Sequence, residues 1–120
     1  DEHVKLIRQV YRERRDAMLQ ALQEFFPPEV AWTHPQGGLF LWVTLPVGMD
    51  CHELFNSAIA ENVAFVPGDC FYVTDDLEAR RHFRLNFSYS KPEVLREGIR
   101  RLAVALRRQM EALHFASATA

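Results

Sequence analysis

No apolar run in this 120-residue chain approaches the roughly 20 residues that a membrane-crossing helix needs, and no signal-peptide pattern opens it. Cysteine is scarce: Cys51 and Cys70 stand alone, without a CxxC pair or any other metal-ligand spacing. Two isolated cysteines in a chain without a secretory signal are expected as reduced thiols, with the cytoplasm as the compartment. The histidines are scattered, with no HExxH and no i,i+4 pair to suggest zinc, so no metal site is expected. A basic excess is missing too. Fourteen Lys and Arg against 16 Asp and Glu give a formal net charge of −2, which lends nothing to phosphate-backbone binding. Neither nucleic acid nor membrane is expected to bind this domain. Five glycines are present, none in the longer pattern of a phosphate-binding loop that opens a helix.

What is present suits one compact domain, with apolar residues at 48% and charged residues at 25%. Val4, Ile7, Tyr11, Met18, Leu22 and Phe25 recur at helical spacing, giving an amphipathic helix that Phe26-Pro27-Pro28 stops. Its basic residues Lys5, Arg8, Arg12, Arg14 and Arg15 face several directions and read as a solvated surface. A chain that opens inside a helix is expected of a fragment. Val30 to His34 predicts a short strand, and Pro35-Gln36-Gly37-Gly38 a tight turn. Leu39 to Leu45 is almost unbroken in its apolarity, which suits a strand buried on both faces.

Asp50-Cys51-His52-Glu53 has the form of a capping box opening a second helix, which Asn62 can end. Val63 to Val66 is a strand candidate broken by Pro67-Gly68, and a polar turn or short helix runs from Asp75 to about Arg81. Phe83, Leu85 and Phe87 then alternate with Arg84, Asn86 and Ser88. Ser90-Lys91-Pro92-Glu93 forms a second capping box before a helix through Leu95, Ile99, Leu102, Leu106 and Met110. Residues 115–120 lack periodicity and are expected as a disordered tail after a domain of residues 1–114. The fold class predicted is α+β, a short mixed or antiparallel sheet of about four strands with helices packed on one face. The other face carries Arg84 and Asn86 and would look toward a cleft.

Arg84 stands out chemically. An arginine in a strand built for burial is costly to desolvate unless an anion meets it, and its planar guanidinium matches a carboxylate. An internal salt bridge, or exposure on an edge strand, would explain the same residue without a ligand. Turn geometry alone accounts for Gly37-Gly38. Cys51 and His52 are adjacent on a helix and so point about 100° apart, a poor nucleophile–base pair. Asn86-Phe87-Ser88 matches the glycosylation pattern, but a strand interior empties that match.

Four blocks carry a resemblance. Pro35-Gln36-Gly37-Gly38-Leu39-Phe40-Leu41-Trp42, Val63-Ala64-Phe65-Val66-Pro67-Gly68 with Phe71, Arg84-Leu85-Asn86-Phe87-Ser88, and Tyr11 to Met18 each resemble segments of the fold-type I (class I/II) aminotransferases, in the family's order. The match covers nearly the whole chain and is closest to the aminoadipate and aromatic/kynurenine-type enzymes and to the MocR-like regulators. The resemblance implies the C-terminal small domain of a pyridoxal-phosphate-dependent enzyme whose large domain is missing here. It also implies that the cofactor-bearing lysine and phosphate contacts lie in that large domain, since only Lys5 and Lys91 occur here. Pyridoxal phosphate is thus expected in the parent enzyme but not bound to this chain alone. No catalytic residue is expected in the chain. The substrate contacts implied are Arg84 for the α-carboxylate, Gly38 and Phe71. The parent would exchange an amino group between an amino acid and a 2-keto acid, as a homo-oligomer, a homodimer. An effector-sensing fragment of a MocR/GntR-type regulator and a stand-alone α/β interaction module remain the alternatives.

Overall fold

The computed structural model describes residues 2–34, 40–60, 68–70, 79–87 and 91–119, without the side chains of 58–60, 68–70, 79 and 114–119. Helix α1 (Glu2–Phe25) ends where the two prolines remove the next amide donors, and the Phe26 N–H still reaches the Leu22 carbonyl at 3.0 Å. Of its apolar stripe, Met18 and Leu22 are buried together with Ala21, whereas Val4 and Ile7 are exposed, as is Leu6. A helix of this length spans about 36 Å. Only its C-terminal part joins the core shared with the sheet, whose strands have five residues at most.

Strands β1 (Ala31–Trp32), β2 (Phe40–Thr44), β3 (Gly68–Cys70) and β4 (His82–Asn86) form one sheet in the order β1-β2-β4-β3, every pair antiparallel. β1 and β2 pair as the expected hairpin would, Ala31 opposite Thr44 and Trp32 opposite Val43. The turn joining them lies outside the described residues, as do the strand expected at Val63 to Val66, the Asn62 cap and Ser88. Backbone pairing is found at Gly68–Cys70, beginning at the second residue of the expected Pro67-Gly68 break.

One expectation about β2 is corrected. Leu41 and Val43 are fully buried, but Phe40 and Trp42 are 39% and 46% exposed, so the strand is buried on one face only. The physical reason is the layering: every helix that contributes to the core lies on the side of Leu41 and Val43.

Helix α2 (Cys51–Ala60) is capped by Asp50, whose carboxylate accepts from the His52 N–H at 2.8 Å, one residue earlier than Glu53. Cys51 is fully buried and disulfide-bonded, which corrects the expectation of a reduced thiol. It turns inward with Leu54 while His52 faces solvent, so the two side chains of the rejected nucleophile–base pair do diverge. A single 3-10 turn (Ala79–Arg81) leads into β4, and the Leu45 N–H donates to the Arg81 carbonyl at 2.7 Å just beyond the ladder.

Helix α3 (Pro92–Thr119) begins with proline at its first position, where the missing donor costs nothing. The Lys91 carbonyl accepts from Val94 and Leu95, both at 3.0 Å, and Ser90 of the expected box lies outside the described residues. Its backbone stays helical through residues 115–119, in the stretch expected as a tail. Leu95, Ile99, Leu102 and Leu106 meet Met18 and Leu22 of α1 and Phe83, Leu85 and Phe87 of the β4 segment in one core. Phe55 of α2 packs edge-on against Phe83, ring centroids 5.2 Å apart. The result is the α+β arrangement anticipated, helices on one face and, among the described residues, no element over the face opposite.

Candidate functional site

Strand alternation builds the uncovered face. With Phe83 and Leu85 committed to the core, His82, Arg84 and Asn86 must project the other way, alongside Phe40, Trp42 and Thr44 of β2. Arg84 occupies the middle of β4, an interior strand flanked by β2 and β3. Edge-strand exposure therefore does not account for it. Trp42 is its cross-strand partner on β2, and Asp69 is its register partner on β3.

The guanidinium carbon of Arg84 stands 4.2 Å from the centroid of the Phe40 ring, a cation–π contact on the diagonal of the ladder. Trp42 is held by paired contacts with the end of the hairpin: its N–H donates to Thr33 Oγ1 at 3.0 Å, and its carbonyl accepts from the Thr33 N–H at 3.0 Å. One end of the face is closed by Thr44 Oγ1 and His82 Nδ1, 3.0 Å apart. The face thus presents one half-buried guanidinium framed by two aromatic side chains, a surface suited to a carboxylate with an apolar portion.

Gly38 and Phe71, the other substrate contacts implied by resemblance, lie outside the described residues. In sequence they flank this same region, Gly38 two positions before β2 and Phe71 directly after β3. Phe40 was not anticipated. Its signal was the alternation with Leu41, hidden inside an apolar run until one sheet face is known to be open.

A separate hollow of about 290 Å³ lies at the start of α2, lined by Val47, Gly48, Met49, Asp50, Glu53, Arg80 and Arg81. Arg84 does not line it, and its charges are engaged locally. Arg80 pairs with Asp50 at 3.7 Å, and Arg81 Nε donates to the Leu45 carbonyl at 3.0 Å. Among the described residues no group of three or more His, Cys, Asp and Glu could hold a metal ion. No described helix is long and apolar enough to cross a membrane.

No family model matches the chain. It is 46% identical over 111 residues to the aromatic-amino-acid aminotransferase 1 of Thermococcus litoralis, covering 92% of this chain and 26% of that protein. The 2-aminoadipate transaminase of Thermus thermophilus is 43% identical over 106 residues, 88% of this chain and 26% of that protein. Among solved structures, the multiple substrate aminotransferase of Thermococcus profundus superposes with a TM-score of 0.78 at 44% identity, covering 93% of this chain and 27% of that one. A more distant match, 32% identical over 110 residues and covering 92% of this chain and 22% of that protein, is the uncharacterized HTH-type transcriptional regulator YisV of Bacillus subtilis. The chain spans about a quarter of the length of the relatives it matches.

Proposed function

We propose, from the premise that this chain is a small domain of the fold-type I (class I/II) aminotransferases, that its parent protein moves an amino group between an amino acid and a 2-keto acid. In this reading Arg84 takes the substrate α-carboxylate. The observation that carries it is Arg84 on an interior strand of the one sheet face the helices leave open. Fixing the carboxylate at one end orients the rest of the substrate, an effect that converts binding into correct alignment of the reacting bond. The segment at Gly38 and the loop at Phe71 would flank the same substrate.

Pyridoxal phosphate does not fit the described residues as a site of their own. The cofactor needs a lysine amine, and both lysines are exposed, Lys5 on α1 and Lys91 directly ahead of α3, neither on the strands that build the Arg84 face. We assign the cofactor and its lysine to the missing large domain, where it supplies the electron sink of the reaction. The chain alone, residues 1–114 forming its domain, is then inactive. The intact protein is read as a cytoplasmic homodimer.

Arg84→Lys in the full-length enzyme tests this. Losing the paired, charge-assisted hydrogen bonds should raise KM for amino-acid substrates by roughly 10- to 100-fold. An unchanged KM removes the assignment.

A second reading is kept because of the match to a helix-turn-helix regulator: the same face would sense an amino-acid effector, without turnover. The higher identity to the enzymes favours transamination. A basic helix-turn-helix segment upstream in the full-length protein would reverse that preference.

A further inference from the structure

An arginine on an open sheet face has a long side chain with many rotamers, and ordering such a chain at binding lowers affinity. Arg84 is not left to roam. Phe40 lies beneath its guanidinium, Cζ 4.2 Å from the ring centroid, although the direct cross-strand neighbour on β2 is Trp42. Phe40 is itself opposite Asn86, so the contact runs diagonally along the ladder and sets the direction in which the arginine leans. A cation held over a ring engages the ring with its flat face, and a carboxylate is bound by the in-plane N–H donors at its edge. The two contacts are compatible and can be made at once.

Packing into the core does not account for Phe40. It is 39% exposed, on the face that no described helix covers, and it stands outside the core formed by Leu41 and Val43. The guanidinium above the ring gives this half-exposed aromatic side chain its partner. On the other flank, Asp69 of β3 stands at the register position opposite Arg84. The arginine is therefore bracketed by a ring from one strand and an acid-bearing position on the next.

We propose that Phe40 is the positioning residue for Arg84, holding the guanidinium in the orientation in which it receives a substrate carboxylate. The inference rests on the reading of Arg84 given above. Its role is to lower the ordering cost at binding, so it acts on affinity for the carboxylate and leaves the chemical step alone.

The test compares Arg84→Lys, Phe40→Leu and Phe40→Tyr in the full-length holoenzyme. KM and kcat are measured for L-leucine or L-phenylalanine, whichever turns over faster. The inhibition constant of the matched unreactive carboxylate, 4-methylpentanoate or 3-phenylpropanoate, is measured alongside. Phe40→Leu should raise KM and the inhibition constant together, by about 3- to 10-fold, with kcat nearly unchanged. Phe40→Tyr, which keeps the ring face, should restore both. If Arg84→Lys alters neither constant, the reading of Arg84 fails and this inference with it. If Arg84→Lys weakens both but Phe40→Leu leaves them alone, lowers only kcat, or is matched by Phe40→Tyr, the positioning role is overturned and Arg84 stands.

Discussion

Phe83 and Arg84 are consecutive and carry opposite tasks. Phe83 is fully buried against Phe55, and truncation there removes a large side chain from the core and leaves a cavity. Phe83→Ala should cost about 3–5 kcal/mol, read from chemical denaturation of the isolated chain. Arg84→Leu, on the open face, should move stability by less than about 1 kcal/mol while abolishing carboxylate binding. A residue kept for binding is expected to cost the fold little when it is lost. A stability loss at Arg84 as large as that at Phe83 would mark the arginine as structural. The same contrast explains why Arg84 was legible in the sequence. A charged residue flanked by Phe83 and Leu85 breaks an otherwise apolar pattern, and alternation fixes which way it points. The ring beneath it was not legible, because a diagonal contact depends on register between strands about 40 residues apart, which no local pattern encodes.

At the scale of elements, helix α3 carries a surface cluster whose behaviour with pH follows from its geometry. Arg100 donates to Glu97 at 2.7 and 2.9 Å, and Arg101 one turn on donates at 2.8 Å. The Arg100 hydrogen bonds first, and then the Arg101 bond, hold the Glu97 carboxyl at about 2, well below its ordinary 4.5. A folded value below the unfolded one means that the stabilisation is complete above pH 4.5 and is lost as pH falls toward 2. The cluster is exposed and screened by salt, so the effect is small. Glu97→Gln should lower the melting temperature slightly at pH 7 in low salt, and the two proteins should converge at pH 2. A difference that persists at pH 2 would place the effect elsewhere. Most elements were readable because each has its own punctuation: Pro27-Pro28 after α1, Asp50 before α2, Pro92 opening α3. The two-sided burial expected of β2 failed for a reason no strand contains. Whether Phe40 and Trp42 are covered depends on where three helices, remote in sequence, come to rest.

For the molecule as a whole, and among the described residues, two groups of exposed large apolar side chains stand beside the single positions Val47, Val94 and Leu113. Phe40 and Trp42 lie on the open sheet face, and Val4, Leu6 and Ile7 on the first turns of α1. The domain extends 61 Å along its longest axis and only 27 and 23 Å across, a rod with apolar residues showing. Exposed patches of this kind mark interfaces. The isolated chain should therefore self-associate at high concentration by light scattering, and replacing Leu6 and Trp42 with polar residues should reduce it. A strictly monomeric wild-type chain would favour the stand-alone module over a severed domain.

The strict alternation of β4 binds interior and exterior into a single choice of register. Sliding that strand by one residue against its neighbours would turn Phe83 and Leu85 onto the open face and drive the arginine in among leucines. The penalty for filling the interior with a guanidinium is far larger than any gain at the binding face. The aim of Arg84 is thus enforced by the apolar half of its own strand, whatever the guanidinium meets.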